Sequence, residues 1–152
     1  MPYVVHVSSV AMETIAALVH EPDADGDLAV AAALLHDVVE DTRTTLDQIE
    51  TTFGVRIAAG VAALTKNASL EKCTAMQDSL TRILAQPREI AMVKLADRIT
   101  NLAPPPPHWT AKKIATYREE AQLIHDTLRA ASAFLTERLA QRIERYPGGG
   151  RL

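Results

Sequence analysis

The sequence predicts an all-α fold of about six to eight helices with no sheet. Strands favour aromatic and β-branched side chains, but the 152 residues include one Trp, three Tyr and two Phe against 25 Ala, and Ala is a strong helix former. Three of the six Gly fall together at 148–150, so too few remain for the Gly-rich phosphate loops of Rossmann and P-loop proteins. Apolar residues also recur at helical spacing along most of the chain.

The N-terminal half carries start and stop signals for several helices. The apolar run 28–35 lacks a polar face, which predicts a buried central helix, and Asp27 is placed to cap its start. Thr45 and Gln48 have the spacing of a capping box, and Gly54 is placed to end the short helix that they begin. The predicted helices span about 4–19, 28–41, 46–53 and 55–65.

Prolines mark helix boundaries in the C-terminal half. Pro87 stands at a first-turn position, and Pro104–Pro107 end the helix that it opens. Whether this run and the following Trp109 rim an active site or form a rigid connector stays open. The predicted helices are about 70–85, 87 to the proline run, and 110–146 with a break near 128–132. We expect a single domain over 1–146 and a flexible tail over 147–152.

Composition excludes several classes of protein. Sixteen Lys and Arg against nineteen Asp and Glu give a formal charge of −3, and no basic run occurs, which argues against a dedicated nucleic-acid binder. The longest apolar stretch, 28–35, is too short to cross a membrane, and no leader-like segment is present, so we expect a cytoplasmic protein. Cys73 is the only cysteine, so any metal must be bound by His and carboxylate side chains.

The pair His36-Asp37 stands at the end of the most apolar helix, where a carboxylate is costly unless it is paired or bound to a cation. Glu40 and Asp41 lie at i+4 from these two residues, so one helix would present a patch of four ionisable groups. A metal beside a carboxylate pair is typical of hydrolytic sites, because the carboxylates can orient water and exchange protons. The alternative is that Glu40 and Asp41 only end the helix and start a turn.

A cation at this position needs further ligands from other segments. His6 and Asp97 are the natural candidates, because each is an ionisable residue set among apolar ones. The alternatives are that His6 is an ordinary core histidine and that Asp97 forms an ion pair. Spacing alone leaves both interpretations open.

With these residues the chain resembles the HD-domain phosphohydrolases, and within them the small stand-alone relatives of the RelA/SpoT hydrolase domain. The likeness follows the family's order over nearly the whole chain, to about Tyr146. Its motifs are His6 with Val10-Ala11, Ala32–Thr42, Phe53-Gly54, Leu64-Thr65-Lys66, Val93–Leu102, Trp109 and Tyr117–Ala121. The resemblance implies an HD-domain helical bundle.

The resemblance also implies a site and a reaction. Glu40 and Asp41 would act on the attacking water and the leaving group, beside one divalent metal, usually Mn²⁺ in this family. Relatives remove pyrophosphate from the 3′ position of guanosine tetra- or pentaphosphate, the bacterial alarmone, so a ppGpp-like nucleotide is the expected substrate. The implied metal ligands are His6, His36, Asp37 and Asp97.

A substrate this anionic needs basic and polar partners. For each charged candidate the alternative is a solvated helix face or an ion pair, such as Arg98 with Asp97 or Glu40, and for Tyr117 the alternative is packing. The candidate substrate contacts are Lys66, Lys94, Arg98, Asn101 and Tyr117.

One departure from the family pattern concerns the N-terminal flank. Relatives usually carry a helix and a basic, base-packing loop before the first ligand His. Either the natural chain starts upstream of Met1 or, as we expect, this version has a shortened flank. That places guanine recognition in doubt and leaves the first helix short of cover, which another subunit of a homo-oligomer could supply. Two other functions stay open: a phosphatase acting on NADPH or another phosphorylated nucleotide, and a non-catalytic HD helical binding module.

Overall fold

The structure is a computed structural model that describes residues 2–148. Within that range all regular structure is helical, with eight helices of at least eight residues and one single turn, which confirms the predicted all-α fold. The predicted tail lies mostly outside the described residues. The helices are α1 Tyr3–Leu18, α2 Gly26–Leu35, α3 Val38–Asp41, α4 Leu46–Phe53, α5 Val55–Leu64, α6 Lys72–Leu84, α7 Arg88–Asn101, α8 Ala111–Leu128 and α9 Ala133–Arg145.

Local signals account for most of these boundaries. Thr45 and Gln48 form the predicted capping box of α4. Gly54, with φ of 91°, ends α4 in a conformation that favours glycine and leads directly into α5. The α8–α9 break falls at the predicted place, and Ser132 caps α9 by accepting a hydrogen bond from the Leu135 N–H.

Helix α7 forms the centre of the molecule and packs against α1, α2, α5, α6, α8 and α9. The helix beginning near Leu28, predicted as the buried central one, is buried on one face only, where Leu28, Ala29, Ala32 and Ala33 lie, whereas Leu34 is 43% exposed. Eleven of the fourteen residues of α7 are buried, including the charged Lys94, Asp97 and Arg98. These charges have partners within the fold, as described below, so α7 can be buried although it is more polar than α2.

Helix α2 differs from its prediction at both ends. Its N-cap is Asp25, whose Oδ1 accepts a hydrogen bond from the Leu28 N–H at 3.0 Å, whereas the predicted cap Asp27 lies in the first turn. The helix ends at Leu35 and does not continue to 41. Asp37 has φ of −102° and ψ of 0°, which bends the chain before α3 begins. Glu40 and Asp41 therefore lie on a separate turn of helix.

Helix α1 leaves an apolar face uncovered. Val4, Met12, Ile15 and the following Val19 are between 49% and 77% exposed. The shortened flank, and a homo-oligomer that covers this face, stay predictions. None of the helices in residues 2–148 is long and apolar enough to span a membrane.

Candidate active site

Four ionisable side chains converge from three parts of the fold. His6 comes from α1, His36 and Asp37 come from the bend between α2 and α3, and Asp97 comes from α7. Each offers one potential ligand atom, and these four atoms all lie within 4.8 Å of one another. The sequence reasoning named this set, and the structure brings all four residues together.

The bend at Asp37 lets two consecutive residues reach the same point. On a straight helix their side chains would diverge by about 100°, but His36 Nε2 lies 3.2 Å from Asp37 Oδ2. His6 Nε2 lies 3.3 Å from Asp37 Oδ2 and 3.3 Å from Asp97 Oδ1. His36 Nδ1 donates a hydrogen bond to the Ala33 carbonyl at 2.8 Å, which leaves Nε2 directed at the cluster.

Asp97 is oriented by neighbours one turn away on either side of it. Lys94 Nζ lies 3.1 Å from Asp97 Oδ2, and Asn101 Nδ2 donates to Asp97 Oδ1 at 2.6 Å. Asp97 thus pairs with Lys94 and two histidines, so the alternative of a simple ion pair describes only part of its environment. His6 likewise faces three other ionisable groups, which favours the ligand interpretation over that of an ordinary core histidine.

The electrostatics of the cluster favour bound positive charge. Hydrogen bonds to Asp37 and Asp97 raise the pKa of His6 to about 9. Burial opposes the charge of His36, but the same two carboxylates outweigh it and raise the pKa of His36 to about 10. Burial also opposes ionisation of Asp97, yet Lys94 and the imidazoles hold its pKa well below the usual range. Protons and a metal ion therefore compete for the same four atoms.

This donor set fits a divalent metal ion. Two imidazole nitrogens and two carboxylate oxygens form a mixed N/O group of the kind that binds Mn²⁺, Fe²⁺ or Zn²⁺ in hydrolytic sites. All four side chains are buried or half-buried, so the site is largely shielded from bulk water.

Glu40 and Asp41 lie on α3, next to the cluster, and both are exposed. Glu40 Oε1 accepts a hydrogen bond from the backbone N–H of Lys66 at 2.7 Å, and its side chain lines the same cavity as Asp37. Asp41, together with Asp37, acts on the phenol of Tyr3: burial and these two charges raise the pKa of Tyr3.

A polar cavity of about 200 Å³ opens beside Asp37 and Asp97. Sequence reasoning missed one basic residue on its wall, Lys72, which is exposed on α6 and pairs with Glu120 at 2.9 Å. No motif marks Lys72 in the sequence, because its place in the cavity depends on how α6 packs against α8. All five predicted substrate contacts line this cavity, namely Lys66, Lys94, Arg98, Asn101 and Tyr117.

Arg98 is the most unusual of these residues. Its side chain is 4% exposed, its Nη2 lies 3.7 Å from Glu120 Oε2, and its guanidinium carbon lies 4.4 Å from the centre of the Tyr117 ring. The expected ion-pair partners of Arg98 were Asp97 or Glu40, and this prediction was wrong. Among the described residues, Arg98 pairs with Glu120 instead. Within residues 2–148, the buried Arg98 atoms Nε and Nη1 have no hydrogen-bond partner. Arg98 therefore carries two buried donors that lack an acceptor.

His6 lines a second cavity, of about 350 Å³. Trp109 forms part of its wall and packs edge-on against Tyr117, with ring centres 5.2 Å apart. Asn101 and Tyr117 line both cavities. The position of Trp109 and of Pro104–Pro106 beside His6 favours the interpretation that this segment rims the site.

A model of the HD domain matches residues 1–133. The chain belongs to the HD domain family. It is 33% identical over 144 residues to the zebrafish (Danio rerio) guanosine-3′,5′-bis(diphosphate) 3′-pyrophosphohydrolase MESH1. The alignment covers 92% of this chain and 78% of that protein. The human (Homo sapiens) protein of the same name is 32% identical over 142 residues, spanning 91% and 77%.

Solved structures agree with this assignment. A structure described as a metazoan ortholog of SpoT that hydrolyses ppGpp matches with a TM-score of 0.80 and 30% identity, covering 97% of this chain and 83% of that one. A Listeria monocytogenes protein matches with a TM-score of 0.72 and 23% identity, covering 94% and 96%, which supports the fold alone. The chain is thus a hydrolase of the HD family, similar to its small stand-alone members, and this family implies a divalent metal.

Proposed function

We propose that this protein is a guanosine-3′,5′-bis(diphosphate) 3′-pyrophosphohydrolase that uses Mn²⁺. The observation that carries the proposal is the juxtaposition of the four-residue metal-ligand cluster with a cavity lined by four basic side chains. Relatives that share about a third of their residues with this chain bear the name of this activity. The basic residues of the cavity are Lys66, Lys72, Lys94 and Arg98.

The roles of the ligand residues follow from their donor atoms. His6, His36, Asp37 and Asp97 would hold the cation, which would supply Lewis acidity at the reacting phosphate. The Lys94 and Asn101 contacts keep the Asp97 carboxylate oriented, and the Ala33 carbonyl keeps the His36 ring oriented.

The two acids of α3 would act as general base and general acid. Glu40 uses Oε1 to accept the Lys66 N–H, so its other oxygen is available to orient the attacking water and accept its proton. Asp41, the next residue, would donate a proton to the departing 3′ oxygen. Both acids are exposed, and Glu40 also lines the basic cavity.

The two cavities suggest how the nucleotide lies. The pyrophosphate would occupy the basic cavity, which Arg98 lines together with the three lysines. The nucleoside would occupy the second cavity, where Trp109 offers an aromatic surface to the base. Asn101 and Tyr117, which line both cavities, would contact the sugar between them.

Product analysis tests the proposal. Purified protein with Mn²⁺ should release pyrophosphate from ppGpp, and Asp37→Ala and Asp41→Ala should abolish release, while Asp126→Ala at an exposed position of α8 should not. Release of inorganic phosphate from NADPH, with no action on ppGpp, would support the phosphatase instead. A wild-type protein that binds Mn²⁺ but turns over neither nucleotide would support the binding module.

The single tryptophan gives a separate test of nucleotide orientation. If the base lies against Trp109, titration with GDP should quench the intrinsic fluorescence, whereas inorganic pyrophosphate, bound in the basic cavity, should change it little. Equal quenching by both ligands would contradict the orientation without touching the proposed reaction.

A further inference from the structure

One peptide group, between Thr65 and Lys66, connects α6 to the site. Its N–H, on Lys66, donates to Glu40 Oε1 at 2.7 Å. Its carbonyl, on Thr65, accepts a hydrogen bond from Arg82 Nη2 at 2.9 Å. The guanidinium of Arg82 and the carboxylate of Glu40 thus lie at opposite ends of the same peptide plane.

The position of Arg82 follows from the end of helix α5. The last carbonyls of a helix lack partners within it, and α6 supplies them here. Arg82 Nη1 donates to the Ala62 carbonyl, and the buried Ser79 Oγ donates to the Ala63 carbonyl at 2.9 Å. The guanidinium is held in turn by Asp78, whose Oδ2 lies 2.9 Å from Arg82 Nε. The segment after α5 is therefore fixed from the α6 side.

Glu40 depends on this segment for its orientation. The side chain is exposed, and within residues 2–148 the Lys66 N–H is its one hydrogen-bond donor. An exposed glutamate held by a single bond has several rotamers available, so a small shift of that N–H would release it. A cation on the carbonyl side also polarises the peptide and strengthens the bond that its N–H donates.

We infer that Arg82 is a positioning residue for Glu40, which acts through the Thr65–Lys66 peptide and does not touch the substrate. The inference rests on the proposed role of Glu40 in orienting the attacking water. It assigns to α6, a helix outside the ligand cluster, a part in setting the rate of the chemical step. The same peptide carries Lys66, which lines the basic cavity, so the loss should fall mainly on kcat, with a smaller rise in KM.

The test compares Arg82→Gln with Arg88→Gln. Arg88 is a matched control, since its side chain is 35% exposed against 34% for Arg82 and also bonds to carboxylates, those of Glu21 and Asp23. Arg82→Gln should lower kcat for pyrophosphate release about tenfold, with a smaller rise in KM, and Arg82→Lys should recover part of the loss. Arg88→Gln should leave both constants unchanged.

A double-mutant cycle separates positioning from a general loss of structure. If Arg82 acts through Glu40, Arg82→Gln should add almost nothing to the loss caused by Glu40→Gln. A further tenfold loss in the Glu40→Gln background, or a rise in KM with kcat unchanged, would overturn the inference.

Amide hydrogen exchange provides a readout that needs no turnover. The Lys66 N–H should exchange faster in Glu40→Gln and in Arg82→Gln than in wild type, and at the wild-type rate in Arg88→Gln. If the wild type fails to hydrolyse ppGpp but shows this exchange pattern, the proposed function is refuted and the contact between Arg82 and Glu40 through the peptide is supported. If the wild type hydrolyses ppGpp and Arg82→Gln leaves the exchange of the Lys66 N–H unchanged, the positioning role of Arg82 is refuted and the proposed function is supported.

Discussion

Replacing Asp97 with asparagine should weaken both metal binding and the fold. The change removes the charge that faces His6 Nε2 at 3.3 Å and Lys94 Nζ at 3.1 Å, while it keeps the shape of the side chain. Changes to residues that merely orient a ligand lower metal affinity about 10–100-fold, so loss of a direct ligand should exceed about 100-fold. Calorimetric titration with Mn²⁺ measures this.

The same substitution leaves Lys94 in a buried position without its partner. The Lys94 side chain is 8% exposed, and removing one member of a buried pair costs about 3–5 kcal/mol. We take about 3 kcal/mol, since asparagine still offers an acceptor oxygen, which corresponds to a fall in Tm of about 6–12 °C for a chain of this size.

The control is Asp126→Asn, which alters a His–Asp contact of 2.8 Å on the surface. It should change neither Mn²⁺ affinity nor Tm. An Asp97→Asn protein that binds Mn²⁺ as tightly as the wild type would refute the assignment of Asp97 as a ligand. An unchanged Tm would refute the burial argument for Lys94.

Three further predictions concern stability. Leu95→Ala in α7 should lower the free energy of unfolding by about 2–5 kcal/mol in a urea titration, whereas Leu84→Ala at an exposed position should lower it by less than about 0.5 kcal/mol. Thr45→Ala should lower it by about 1 kcal/mol through loss of the α4 capping box. In chelator, the raised pKa values of His6 and His36 should stabilise the protein fully below about pH 6.5, with this contribution lost as the pH rises through about 9–10, which thermal unfolding at pH 6.5 and pH 10 would show.

Each of these has a contrary outcome. Equal losses in Leu95→Ala and Leu84→Ala would contradict the central place of α7, and a neutral Thr45→Ala would contradict the cap. A Tm in chelator that rises from pH 6.5 to pH 10 would show that the two imidazoles are not held as cations by their carboxylate neighbours.

Helix positions could be predicted because their signals are local. The α4 capping box, the Gly54 turn and the proline run after α7 each depend on residues within a few positions of one another. The bend at Asp37 could not be predicted in this way, since no glycine or proline marks it. It is the contacts of His36 and Asp37 with His6 and Asp97, far along the chain, that accompany the bend.

The candidate site could be predicted in its members but not in all its surroundings. Spacing left His6 and Asp97 as candidates, the resemblance to the HD family implied the set of four, and the structure brings the four side chains together. The partner of Arg98, by contrast, is Glu120 on α8, which no spacing indicates. The same reason explains why α7 was not expected at the centre: charged residues predict exposure unless their partners on other helices are known.

The wide sequence separation of the cluster residues links metal occupancy to resistance against unfolding. His6 and His36 are 30 positions apart, and Asp97 follows Asp37 by 60, so an unfolded chain would have to close two long loops to assemble the same ligands. An ion that binds only the assembled cluster acts as a removable cross-link, and at 100 times its Kd it would add about 2.7 kcal/mol to the free energy of unfolding. Ion supply would then govern the lifetime of the enzyme as well as its turnover.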